Sequence, residues 1–216
     1  MLPFLLLLAQ QYASGGEILE ARLEAKADEG PDVAVRLAYR IEARGAEQVA
    51  FSVLEIDGVA IEEISAFAAE TPLRVEVTPR SGPKLEGSIG IPKDTRSFEI
   101  RYIVRGGAEP TEDGLRVRLP CVVLDLKIQD TRTGLFSSMV QLPDGLSVVD
   151  GFPSHPLAGA DGAYHWELPL VPTFVAFRAS SGTLVLTPPR IATTAVVVLL
   201  LAMGFVGIRR ARASRP

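Results

Sequence analysis

The chain has 216 residues, 47% of them hydrophobic, with 22 basic and 26 acidic side chains and a formal net charge of −4. All 26 acids and 18 of the 22 bases precede residue 191, so that part carries 18 − 26 = −8; such a body repels nucleic acid, which is excluded as a partner. One cysteine, Cys121, excludes an intramolecular disulfide, and the absence of asparagine excludes N-glycosylation. Arginine outnumbers lysine 18 to 4. Together with the missing asparagine, this bias fits a high-GC coding sequence and points to a bacterial source.

Residues 1–16 read as a signal peptide. The apolar run MLPFLLLLA has the length of a signal core, and small residues follow at Ala13, Ser14, Gly15 and Gly16. The pattern departs from a usual signal in lacking a basic residue near Met1, the first being Arg22.

Residues 17–105 read as a first β-sandwich domain of immunoglobulin-like size. Leu19, Ala21, Leu23 and Ala25 alternate with Glu20, Arg22, Glu24 and Lys26; Val33, Val35, Leu37, Tyr39 and Ile41 repeat the period of two. Alternation of this kind predicts antiparallel strands with one dry and one wet face. Further strands are expected at 48–56, 59–65, 72–78, 84–91 and 97–105, with a helix over Ile61–Glu70 as the alternative for one of them. Residues 106–114, GGAEPTEDG, offer no apolar anchor and read as a linker. A second β-sandwich is expected over 115–189, with strands at 115–119, 121–128, 135–142, 146–150, 163–168, 173–179 and 183–187. One larger all-β domain of about 170 residues is the alternative.

Residues 191–208, IATTAVVVLLLAMGFVGI, are uncharged and flanked by Arg190, Arg209 and Arg210. As a helix they would span roughly 27 Å, enough for a single transmembrane helix whose partner is the lipid bilayer. The basic tail, residues 209–216, would be cytoplasmic and the N terminus outside, in the periplasm or on the cell surface. A cleaved sorting signal has the same outline, but LVLTPPR ahead of the span carries neither L-P-x-T-G nor Pro-Glu-Pro.

Chemistry is sparse. His155 and His165 are the only histidines, and with Asp150 and Asp161 they match no zinc ligand spacing. Alternation places His165 on the wet face of its strand. Cys121 sits in an apolar run and reads as a core thiol. The acidic pairs Glu62-Glu63 and Glu112-Asp113 should point to opposite faces, and the Asp-Gly pairs read as turns rather than calcium loops. No serine lies in a nucleophile elbow. The reading is therefore of no enzyme, no catalytic residue, no cofactor and no metal.

The segment 150–163, DGFPSHPLAGADGA, is the candidate binding loop, through Phe152, His155, Leu157 and Asp161. Trp166 reads as core by its alternation with Tyr164 and Leu168. The architecture predicts a single-pass, membrane-anchored extracytoplasmic protein acting as an interaction or scaffolding module in the bacterial envelope, with another envelope protein as partner. The alternatives are an ectodomain that binds carbohydrate or envelope polymer, and an anchored hydrolase.

Overall fold

The computed structural model describes residues 16–27, 30–43, 48–56, 58–79, 82–128, 131–154, 156–159 and 162–181. The expected signal peptide before Gly16, the span 191–208, Arg190, Arg209, Arg210 and the tail lie outside the described residues, as do His155 and Asp161. Among the described residues no helix is long and apolar enough to cross a membrane.

The described chain is all-β, in several sheets. Its strands are β1 (Gly16–Lys26), β2 (Val33–Ala43), β3 (Gln48–Leu54), β4 (Ala60–Ala68), β5 (Thr71–Leu73), β6 (Val75–Val77), β7 (Lys84–Gly90), β8 (Ser97–Arg105) and β9 (Ala108–Thr111). They continue as β10 (Gly114–Pro120), β11 (Val123–Leu124), β12 (Lys127–Ile128), β13 (Phe136–Gln141), β14 (Ser147–Phe152), β15 (Leu157–Ala158), β16 (Ala163–Leu168) and β17 (Phe174–Ser180).

Nine strands form the large sheet, in the order β15-β16-β13-β1-β2-β8-β4-β5, with β12 also on β1. Two smaller sheets run β14-β17-β10-β9 and β11-β3-β7-β6. The period of two dictates the inner face of the large sheet. Leu23, Leu37 and Ile100 are opposite one another on β1, β2 and β8, and none is accessible to solvent. Burying a leucine or isoleucine side chain contributes about 1.5–3 kcal/mol, so such rows hold the sheet to one core.

Two expectations are corrected here, and one alternative falls away. The sheet is mixed rather than antiparallel, because β1 runs parallel to β12 and β13, which follow it by more than a hundred residues. The strand expected at 59–65 is present as β4, and the helix held as its alternative over 61–70 is not formed: Ile61 and Ala66 are buried where β4 meets β8, and the hairpin to β5 turns through Ala69 and Glu70 at φ 46° and 68°. Residues 106–114 are not a free linker. Ala108 is fully buried and its N–H donates to Pro31 O at 2.9 Å, while β9 pairs with β10. Strands from both sides of this stretch share sheets: β1 with β13, and β3 with β11. The described residues all fall within one compact unit that runs to Ser181.

Candidate functional site

The loop singled out by composition is in part a pair of sheet edges. Phe152 ends β14 and is 51% exposed, resting on Phe174 with ring centroids 5.5 Å apart. Leu157, in β15, is 71% exposed and lies opposite His165 of β16. Trp166 is buried, tilted against Phe177 at 5.2 Å, and its Nε1–H donates to Pro153 O at 2.8 Å. An indole held in this way ties the loop to the core and offers no sugar platform. His165 lies on the opposite face from buried Trp166, as alternation predicts, but is half-buried there, with Leu157 and Met139 at its cross-strand positions.

The structure assembles a different polar site on the outer face of the large sheet. Met139, Glu24, Arg36, Arg101 and Ser65 fall opposite one another in successive strands. Alternating charge follows from that register. Arg22 and Arg36 reach Glu24 at 3.0 and 3.6 Å, Glu99 receives both Arg36 and Arg101, and Arg101 extends to Glu70 at 3.5 Å. The Arg101 guanidinium also lies 4.5 Å from the Phe67 ring centroid. Glu99 is nearly buried beneath its two arginines, and its hydrogen bond to Arg36, more than any other cause, raises the Arg36 pKa further. Beside this ladder runs an open groove of about 450 Å³ bordered by Glu24, Arg36, Glu63, Arg101, Met139 and Gln141. Sequence reasoning passed over these residues because polar faces are expected to be merely wet. The signal was the same-face repetition of charge, with Arg22 beside Glu24 on β1, Arg36 and Arg40 on β2, and Glu99 beside Arg101 on β8.

The opposite-face expectation for Glu62 and Glu63 assumes an unbroken period of two, which β4 does not keep. The register of β4 against β8 shifts between Glu62 and Ser65, Glu63 takes φ 55°, and both residues border one cavity of about 380 Å³. A bulge breaks the period on which the opposite-face argument rests.

Cys121 is fully buried, and desolvation pushes its thiol well above the usual range, so it is held as an inert thiol. Around it, Tyr102 Oη–H donates to Pro120 O at 2.8 Å and Tyr39 Oη–H donates to Val122 O. Burial raises both phenol pKa values, and these hydroxyls serve to fix backbone.

No protein-family profile matches the sequence, and no curated protein does. Solved structures do. Yeast LTA4 hydrolase superposes with a TM-score of 0.54 at 12% identity, over 79% of this chain and 30% of that enzyme. An aminopeptidase N family protein from Idiomarina loihiensis matches at 0.48 and 12% identity, over 72% of this chain and 29% of that one. An M1 zinc metallopeptidase from Deinococcus radiodurans matches at 0.42 and 14% identity, over 77% and 42%. The likeness to the yeast enzyme shows the fold alone, and this chain spans less than a third of that enzyme's length.

That likeness corrects two expectations. The reading as an envelope scaffolding or polymer-binding module, and the reading as no enzyme, both gave way to a peptidase-like fold. Strand periodicity is common to all β-domains, and at 12% identity it does not mark which solved fold the chain resembles. The described residues do not fit a zinc ion. No three metal-binding side chains cluster among the described residues, and the two histidines stand ten apart, against four in H-E-x-x-H.

Proposed function

We propose that this chain is the β-rich component of a peptidase-type hydrolase and takes part in peptide-bond hydrolysis together with a catalytic component that holds the reacting groups. The observation that supports this reading is the superposition on yeast LTA4 hydrolase across most of this chain but less than a third of that enzyme. A fragment-length match of this kind answers to one part of a hydrolase. The charged row and groove on the large sheet give such a component a surface for peptide. The packing of its sheets face to face as a sandwich belongs to the same reading and is supported by the alternating burial along β1 and β8.

The reading includes a place in the cell. Residues 191–208 cross the bilayer, with Arg209 and Arg210 on the cytoplasmic side and the β-unit outside, as the uncharged run and its flanking arginines imply. The catalytic component is then an envelope protein in the same membrane.

The experiment is recovery of the full-length, C-terminally tagged protein from crosslinked membranes of its own host, followed by assay on aminoacyl nitroanilides. Hydrolysis that elutes with the tag and is abolished by a zinc chelator is the expected result. An eluate without hydrolysis, from membranes that do hydrolyse, would refute the reading.

A further inference from the structure

Strands β5 and β6 are one stretch of chain that changes sheets. β5 pairs with Ala66–Ala68 of β4 in the large sheet, whereas β6 pairs with β7 in a small one. At the crossing, Gly90 N–H donates to Arg74 O at 2.8 Å. Because the chain leaves at Arg74, the first half of β4, residues 60–64, has β8 on one side and, among the described residues, no hydrogen-bonded strand on the other. Five residues of strand extend about 17 Å. Beside them lies the cavity of about 380 Å³, bordered by Ile61, Glu62, Glu63, Ile64, Val77 and Leu85. Glu55 Oε1 accepts from Ile61 N–H at 2.8 Å, a side chain doing what a neighbouring strand's carbonyl would do.

Charge distinguishes the two acids in this seam. Glu62 is answered by Arg105 at 2.8 Å, and Arg105 is also bound by Asp32. Glu63 makes no hydrogen bond or ion pair with another described residue, and it borders both this cavity and the groove of the outer face. It holds φ 55° within the bulge, a conformation that disfavours any side chain. Glycine would sit there more easily. An exposed strained position that nevertheless carries a carboxylate is a reason to look for what the carboxylate meets.

We propose that this seam docks an extended peptide segment carrying lysine or arginine. The peptide main chain adds beside residues 60–64 of β4, one of its apolar side chains enters against Ile64, Val77 and Leu85, and its basic side chain pairs with Glu63. Val77 is 48% exposed in the free protein, so the apolar wall is there to be covered. This site goes beyond the hydrolase reading and does not depend on it, since binding is read without turnover.

The test is fluorescence anisotropy of a labelled Val-Lys-Val-Lys-Val peptide titrated with the full chain in detergent at low salt, beside a peptide with glutamate in place of lysine. The expected result is saturable binding of the lysine peptide, weakened about fivefold by Glu63→Gln and by added salt, with the glutamate peptide much weaker. Glu63→Gly supplies a control against misfolding: melting temperature should rise while binding falls. Failure of the lysine peptide to saturate, equal affinity for both peptides, or an unaltered Glu63→Gln variant would each overturn the proposal.

Discussion

Two tyrosine hydroxyls hold the backbone where the chain leaves β10 for β11. Tyr102 reaches Pro120 O and Tyr39 reaches Val122 O, on either side of buried Cys121. Replacing Tyr102 by phenylalanine leaves a carbonyl in an apolar core without its donor, at a cost of about 1–3 kcal/mol. Burial raises the folded pKa of Tyr102, so the neutral phenol's contribution is complete below the unfolded value near pH 10 and lost as pH rises through the folded value. Urea unfolding of the wild type should therefore show stability falling above about pH 10, and Tyr102→Phe should be less stable at neutral pH yet lose less on the alkaline side. Parallel pH curves for the two proteins would reject this assignment. Burial of Trp166 was legible from its alternation with Tyr164 and Leu168, and that of Cys121 from the apolar run around it. The exposure of Phe152 and the solitude of Glu63 were not, since both depend on where a strand ends or bulges.

Alternation names the two faces of a strand but not its neighbours. Strands β2 and β8 could be placed within a residue or two from sequence, and β1 apart from its first three residues, while the parallel partnership of β1 with β13 could not, because nothing local encodes a contact across more than a hundred residues. Short strands suffered most. β5 and β6 read as one strand, and the change of sheet at Arg74 has no local signature. The small sheet also depends on a close approach at Gly87 of β7. A Cβ there would stand 2.4 Å from Glu76 O and 2.5 Å from Phe51 Cζ, so both β6 and the Phe51 ring would be displaced. Gly87→Ala should cost about 1–3 kcal/mol, lowering the melting temperature by several degrees. Thermal melts monitored by circular dichroism check this, and an unchanged midpoint would mean that β6 is not held where the structure has it.

The composition of residues 106–114 predicts a boundary, yet strands from before and after it lie side by side in two sheets. A hinge between two independent domains would leave each half with its own core. Here Leu23 of β1 lies between Leu37 of β2 and Ser138 of β13, so removing either half strips neighbours from the other. Cooperativity follows from shared strands, because no sheet can dissolve without exposing the core of the next. Trp166, the sole tryptophan, reports on the later half, whereas far-ultraviolet circular dichroism averages over the strands of both. The two signals should change together in a single transition in the detergent-solubilised full chain. Non-coincident midpoints, with Trp166 fluorescence changing apart from the bulk of the strands, would restore the two-domain division at 106–114 and leave the β1–β13 pairing without its energetic role.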